Sequence, residues 1–305
     1  MPAAAATIES VGGARELLSP KQVAAAAGVS ESTVKRLVDD GQLKAERTAG
    51  GHRRIRLCDA LTWVRSRGCG KLNPTALAPA VPALEGAAGV DLCDRKAVLA
   101  RYSQALEEGD EAVTTGLAVA LFVAGAKLSV VLEEPILGRF LKLRARCNHP
   151  SRECSVLHRA LANSVAAASR LRELICDGLD GPVPGARIVA LADVGYEVDA
   201  LPVHLASTVA AAAGCEVTNL GASVPPEVLA GVADKLRPDV LWVSANGAKQ
   251  ADRKAVAAAV AAAEACAAAA DAELLLFGDA IPAKASGQRV KSLSDLAGRL
   301  TAPGG

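Results

Sequence analysis

Residues 47–56, "RTAGGHRRIR", are the stretch whose residue types point most directly to a chemistry. They contain four arginines and no acidic residue. Arginine forms paired hydrogen bonds with phosphate oxygens, and a local positive excess favours polyanions over small substrates. The excess extends over residues 1–68, which hold 11 Lys/Arg against 7 Asp/Glu, whereas residues 69–305 hold 23 against 26. We therefore expect the amino-terminal part of the chain to bind a nucleic acid.

The sequence before the arginines predicts a helix, a tight turn and a second helix. Ser19 is placed to cap the first helix, with Pro20 at its first position, and Gly28 is placed to end it. Ser30 is placed to cap the second helix, whose first turn is polar and basic, as in a recognition helix. Gly50 then permits a hairpin turn. The predicted DNA contacts are Ser30, Ser32, Thr33, Lys35 and Arg36 on the second helix, and Arg47, Gly51, His52, Arg53 and Arg54 in the hairpin.

Residues 18–68 closely resemble the winged helix-turn-helix of MerR-type regulators and excisionase-like proteins. The resemblance is carried by "VSESTVKRLVDDGQL" and by the hairpin "RTAGGHRRI", of which T-x-GGHRR is the most diagnostic part. It implies double-stranded DNA as the partner and a homo-oligomer that gains specificity from paired half-sites. The alternatives are a helix-turn-helix used for protein contacts and a solvated basic hairpin without a partner.

The composition and the motifs of the chain indicate the class of protein to which it belongs. The chain has 305 residues, of which 51% are hydrophobic and 2% aromatic, a composition typical of alanine-rich helices and α/β layers. Its eight cysteines form no C-x-x-C pair, so we expect reduced thiols without a metal site. No residues show a recognisable catalytic spacing, so we do not expect an enzyme. Without a signal peptide or a membrane span, the sequence predicts a soluble cytoplasmic protein.

Hydrophobic periodicity predicts the order of the domains. Residues 1–17 are expected to be a tail, and residues 69–90, rich in proline and glycine, a linker. Four helices at 94–107, 110–124, 129–146 and 152–177 predict a helical bundle over 91–180. Five apolar runs alternate with helices over 185–305. The fold class is therefore α + α/β multidomain: a winged helix-turn-helix, a four-helix bundle and a doubly wound, flavodoxin-like parallel sheet.

This order of domains resembles the cobalamin-binding regulators, some of which respond to light. The resemblance implies a sensor region and makes cobalamin the candidate cofactor. The matching cofactor positions are Asp199, Gly221, Ser244, Gly278 and His158. In that family a D-x-H-x-x-G loop after the first strand supplies the histidine that coordinates cobalt.

The cofactor motifs of that family are degenerate in this chain. The loop positions correspond to Glu197, Asp199 and Pro202, so a carboxylate replaces the histidine and a proline replaces the glycine. The W-x9-E-H motif is reduced to His158, with Cys147 and Leu157 at its other positions. Where the family has S-x-L/T and G-G, this chain has "SAN" at 244–246 and "FG" at 277–278. We therefore expect any cobalamin binding to be weak and not to use a histidine at position 199.

Three functions are compatible with these features. The leading hypothesis is a DNA-binding transcriptional regulator with a sensor region that is degenerate for cobalamin. The alternatives are a corrinoid-type protein that serves methyl transfer and an effector-free DNA-binding interaction scaffold. The replaced histidine and the basic amino-terminal module count against the methyl-transfer alternative.

Overall fold

The computed structural model describes residues 16–68, 72–147, 154–176, 185–195, 200–246 and 252–301. The first 53 of these form a head of three helices and a small antiparallel sheet. Its elements are β1 (Leu17–Leu18), α1 (Pro20–Ala27), α2 (Glu31–Asp39), β2 (Glu46–Arg47), β3 (Arg53–Arg56) and α3 (Leu57–Ser66). The strand order is β1-β3-β2. Leu17, which the sequence assigned to the tail, pairs with Arg56.

Local hydrogen bonding explains where the head helices begin and end. Ser19 and Gln22 form a capping box, in which the Ser19 N–H donates to the Gln22 side chain at 2.9 Å. Gly28 ends α1 in the left-handed conformation, with a φ of 64°. Ser30 caps α2, and its hydroxyl accepts the Thr33 N–H at 3.2 Å. These positions agree with the predicted helix-turn-helix.

The segment expected to be a linker, as far as the structure describes it, is folded into two 3-10 helices, Pro74–Leu77 and Pro82–Ala87. Leu77, Val81 and Leu84 are fully buried. The second 3-10 helix crosses the helix at Glu111–Val123 so closely that a Cβ on Gly86 would lie 1.9 Å from the Ala112 carbonyl oxygen. Its small residues therefore serve close packing as well as connection.

The bundle follows the predicted helices closely. It contains α4 (Arg95–Glu108), α5 (Glu111–Val123), the short α6 (Leu128–Val131), α7 (Arg139–Arg146) and α8 (Ser155–Cys176). A π-helical turn, Leu132–Gly138, joins α6 to α7 and contains Pro135. Proline lacks the N–H that an α-helical bond needs, which accounts for the altered winding within the predicted third helix.

The head contacts the bundle through α3. The Arg65 guanidinium lies 3.5 Å from the centre of the Phe122 ring and donates to the carbonyl oxygens of Phe122 and Ala126. A Cβ on Gly125 would lie 2.8 Å from the Arg65 carbonyl oxygen, so glycine permits the approach. Burial lowers the pKa of Arg65 from its ordinary value.

The carboxyl-terminal region is a five-stranded parallel sheet with helices on both faces. Its strands are β4 (Ile188–Asp193), β5 (Glu216–Asn219), β6 (Val240–Ser244), β7 (Glu273–Phe277) and β8 (Gln288–Arg289), in the order β5-β4-β6-β7-β8. Its helices are α9 (Leu201–Ala212), α10 (Pro226–Ala230), α11 (Val232–Leu236), α12 (Arg253–Ala270) and α13 (Leu293–Thr301). This is the predicted doubly wound, flavodoxin-like order, with its switch point between β4 and β6.

The two faces of this sheet bury different side chains. Trp242 and Leu275 lie in the same hydrophobic core as residues of α9 and α13. Leu241 and Leu276, one residue away on each strand, pack in a second core with residues of α10, α11 and α12. Among the described residues, none of the helices combines the length and the apolar content that crossing a bilayer requires.

Candidate nucleic-acid interface and ligand site

The first turn of α2 presents a cluster of hydroxyl groups on the surface of the head. The Ser30 hydroxyl lies 2.8 Å from the hydroxyls of both Ser32 and Thr33. Lys35 is ion-paired with Glu31 at 2.8 Å, one turn away, and Arg36 is exposed. Val34 is fully buried and fixes the helix against the head. The predicted recognition residues therefore share one exposed surface of α2.

The hairpin wing is formed by β2, β3 and the turn between them. Arg47 pairs with Arg53 and Glu46 with Arg54 in the antiparallel register. Gly51 has a φ of 77°, and its N–H donates to the Thr48 carbonyl at 2.8 Å, which closes the turn. Gly51 and His52 lie exposed at this tip.

Arg53 differs from its predicted position. The hairpin pattern predicted that it projects towards phosphates, but it holds the Asp39 carboxylate with Nη2 at 2.7 and 2.8 Å from the two oxygens and Nε at 3.1 Å from one of them. Arg47 also reaches Asp39, at 3.6 Å. Asp39 thus joins the wing to the end of α2 and neutralises part of the wing charge. Sequence reasoning missed Asp39, because its partner lies 14 positions away.

Arg54 and Arg56 occupy the other face of the wing strand. Successive side chains alternate across a strand, and Ile55 between them is fully buried on the side of Arg53. Arg54 makes no ion pair within the described part of the chain. Arg54 and Arg56 are both half-buried. Within the described residues, Arg54 and Arg56 are therefore the β3 arginines without an ion pair, and the charge of both is available to a partner.

At the carboxyl edge of the parallel sheet, β4 and β6 end in a buried polar pair. Asp193 and Ser244 are hydrogen-bonded side chain to side chain, and both are almost completely buried. The other Asp193 carboxylate oxygen accepts the Gly195 N–H at 2.9 Å. This edge is the switch point at which doubly wound sheets bind ligands.

Two predicted glycine positions shape the same edge. Gly221 has a φ of 88°, and its carbonyl accepts the Asp193 N–H at 2.9 Å. Gly278 has a φ of 108°, and a Cβ there would lie 2.1 Å from the Ala245 carbonyl oxygen. Gly221, Ser244 and Gly278 therefore lie at one edge of the sheet, and Gly278 is packed against protein backbone.

Aromatic side chains fill the interior beside this edge. Trp242, fully buried on β6, stacks on Phe277 of β7 with ring centres 5.7 Å apart and an angle of 26° between the planes. Both lie on the α9 face of the sheet. Trp242 lies two residues before the end of β6, and Phe277 is the last residue of β7. Phe277 is the residue that stands at the first glycine of the family's G-G motif. Trp242 was not identified from the sequence, although the alternation of side chains along β6 places it on the same face as Ser244.

Two described histidines of this region lie on helices. His204 is half-buried on α9, where burial, and then the charge of Arg172, lower the pKa of its imidazole. His158 is exposed on α8, so the structure does not bring it to the sheet edge as a buried ligand. Pro202 is buried in the first turn of α9. Asp199 and Glu197 lie outside the described residues.

These observations test the fit of a histidine-ligated cobalamin. The sheet interior beside Ser244 and Gly278 is filled by the stacked Trp242 and Phe277, and Pro202 occupies the family's glycine position. The residues present therefore do not fit a cobalamin coordinated as in the resembling family.

Comparison with protein families gives one match. Residues 17–68 match the family model described as a helix-turn-helix domain. No curated protein matches the sequence. The match covers the head, including α2 and the wing.

Comparison with solved structures gives similarity over the rest of the fold. The monomethylamine corrinoid protein of Methanosarcina barkeri is 10% identical with a TM-score of 0.50, and the alignment covers 68% of this chain and 98% of that one. A cobalamin-binding protein from Desulfitobacterium hafniense DCB-2 is 18% identical, with 66% and 96% covered and a TM-score of 0.34. The methanol:cobalamin methyltransferase complex of Methanosarcina barkeri is 16% identical, with 68% and 81% covered and a TM-score of 0.31. This chain therefore joins a helix-turn-helix domain to a bundle and parallel sheet with the fold of a corrinoid protein.

Proposed function

We propose that this chain is a DNA-binding transcriptional regulator of the MerR type, with a regulatory region derived from a cobalamin-binding fold. The observation that carries the proposal is the exposed first turn of α2 beside a wing with an available arginine, Arg54. The α2 surface would enter the major groove, and the wing would lie against the phosphates. Action on DNA also implies a cytoplasmic location.

Gel-shift titrations at two salt concentrations test this proposal. Arg54→Ala should weaken binding to every duplex and reduce the slope of log affinity against log salt by about 0.9 per lost phosphate contact. Arg36→Ala should instead alter preference among sequences, by about 1–3 kcal/mol per base contact. Lys284→Ala is the matched control, because it removes one exposed positive charge outside the head. Equal binding by Arg54→Ala, Arg36→Ala and the parent protein would refute the proposed interface.

We also propose that the regulator acts as a homo-oligomer. One head offers a single short helix to the groove, and two-fold symmetric pairs double the number of base contacts. Light scattering with and without operator DNA should show at least a dimer on the DNA. A monomer that protects one short half-site would contradict this proposal.

A second candidate function, a corrinoid protein serving methyl transfer, is favoured by the fold shared with the Methanosarcina barkeri protein. It requires a bound corrinoid, whereas Trp242 and Phe277 fill the interior next to the sheet edge. The purified chain should be mixed with adenosyl- or methylcobalamin in the dark and passed through a gel-filtration column. We expect no stoichiometric retention, and partial recovery in a variant with Asp199→His, Pro202→Gly and Phe277→Gly. A stoichiometric red complex with a nitrogen-ligated spectrum would overturn the expectation of weak binding. A methyl-transfer assay would then decide between a cobalamin-sensing regulator and a methyl-transfer protein.

A further inference from the structure

Two cysteine thiols meet where α7 ends and α8 begins. The Sγ atoms of Cys147, directly after α7, and Cys154, directly before α8, are 2.8 Å apart. Both cysteines are half-buried and free of disulfide bonds. The distance is shorter than an ordinary sulfur–sulfur contact and longer than the roughly 2.05 Å of a disulfide. A small movement of either side chain therefore suffices to join them.

Cys154 occupies a position that stabilises a thiolate. It precedes the first residue of α8, a helix of 22 residues, whose unpaired N–H groups and dipole favour a negative charge. A hydrogen bond from Cys147, and then bonds from the backbone N–H groups of Leu157 and Val156, lower the pKa of the Cys154 thiol. A thiolate that remains partly accessible is the form in which cysteine reacts with oxidants.

Two other described cysteines have environments that do not favour reaction. Cys215 and Cys266 are buried, and burial raises the pKa of both thiols. Cys93 is exposed on the surface, which makes it an internal reference for a solvent-accessible thiol. Sequence reasoning passed over the pair, because Cys147 and Cys154 lack C-x-x-C spacing and are brought together by the ends of two helices.

We propose that Cys147 and Cys154 form a reversible thiol-oxidation site whose oxidant is a peroxide, with Cys154 as the attacking thiolate and Cys147 as the resolving thiol. This site is independent of the proposed DNA interface. Its oxidised form is a disulfide that covalently joins the end of α7 to the start of α8.

The reaction with hydrogen peroxide balances in two steps. The Cys154 thiolate attacks one peroxide oxygen, the O–O bond breaks, and hydroxide leaves, which produces a sulfenic acid on Cys154. The Cys147 thiol then gives up its proton and its sulfur attacks the sulfenic sulfur, so the S–S bond forms as the S–O bond breaks and hydroxide leaves. Overall, the two thiols lose two electrons and two protons, and hydrogen peroxide becomes two molecules of water.

Peptide mapping of the full chain tests the site. Trypsin cuts after Arg146, Arg152 and Arg159, which places Cys147 and Cys154 on separate peptides. After brief treatment with hydrogen peroxide at pH 7, these two peptides should be joined, while a non-reducing gel still shows a single chain. A dithiol reductant should separate them. The Cys154 thiol should be lost at least about tenfold faster than that of Cys93, because the lowered pKa of Cys154 increases its fraction of the reactive thiolate.

Three variants make the assignment specific. Cys147→Ser should leave a sulfenic acid on Cys154 that dimedone traps, whereas Cys154→Ser should slow the oxidation of Cys147 to the rate of Cys93. Cys93→Ser, the matched control, should form the joined peptides at the parent rate. Equal oxidation rates for Cys154 and Cys93 in the parent, or oxidation of Cys154 without joined peptides, would overturn the proposal.

Discussion

At the scale of single residues, Asp39 controls how much charge the wing presents. Its carboxylate is shared by Arg53 and Arg47, and the side chains of Asp39 and Arg53 are 46% and 24% exposed. Partly exposed ion pairs contribute little to stability, because water and salt screen them. The main effect of Asp39 is therefore expected on DNA binding and not on folding.

The variant Asp39→Asn separates these two effects. It should strengthen binding to all duplexes and steepen the salt dependence, because it removes one negative charge and releases two arginines towards phosphates. The free energy of unfolding should fall by less than about 1 kcal/mol. Gel-shift titrations and urea denaturation measure the two quantities. Asp40→Asn, at the exposed neighbouring position, controls for the charge change alone. Weaker DNA binding by Asp39→Asn would show that Arg53 needs Asp39 to be positioned.

His204 gives the stability of the protein a pH dependence. Its pKa is lowered in the folded chain by burial and by Arg172, so the unfolded chain binds the proton more readily. Stability is then complete above the unfolded-state pKa, near 6.5, and falls as the pH decreases below it. Urea denaturation of the parent and of His204→Gln at pH 7.5 and 5.5 checks this. The loss between the two pH values should be smaller in the variant; an equal loss would assign the acid sensitivity to other groups.

At the scale of elements, the crossing of the second 3-10 helix and α5 depends on two glycines. A Cβ on Gly86 would lie 1.9 Å from the Ala112 carbonyl oxygen, and one on Gly116 would lie 2.6 Å from that of Ala83. Backbone atoms at such distances must move apart. This movement disturbs the packing of Leu84, a buried core residue of the same 3-10 helix. Overpacking of this kind costs about 1–3 kcal/mol or more.

Gly86→Ala should accordingly lower the free energy of unfolding by at least about 1–3 kcal/mol. Gly298→Ala is the matched control, because nothing lies within 4 Å of a Cβ at that position of α13. This control should stabilise the protein by about 0.5–1 kcal/mol, since alanine favours helix over glycine. Equilibrium denaturation of both variants measures the contrast, and equal stability of the two would contradict the close crossing.

These elements show which features of the fold the sequence could predict and which it could not. Capping by Ser19 and Ser30 and the period of the apolar residues are local signals, so the head helices, the bundle helices and the alternation of strands and helices were predictable. The ordered packing of residues 72–90 was not, because small residues are equally typical of flexible linkers. The Asp39–Arg53 pair and the Trp242–Phe277 stack join positions distant in sequence, and alternation alone does not identify partners.

At the scale of the whole molecule, the head is not an isolated module. Buried residues of the head, of residues 72–90, of the bundle and of one face of the sheet belong to one contiguous hydrophobic core. Arg65 adds hydrogen bonds from α3 to the carbonyl end of α5. The proposed regulatory region therefore shares this core with the helix that follows the wing.

Selection from a pool of randomised duplexes by the full chain tests the central claim, that this molecule reads DNA, most directly. Repeated selection at physiological salt should enrich one sequence pattern, which binds at least about a thousandfold tighter than the starting pool. The Arg36→Ala variant should lose that preference. Failure of the parent chain to retain or enrich any duplex would contradict the claim and favour a helix-turn-helix that contacts proteins.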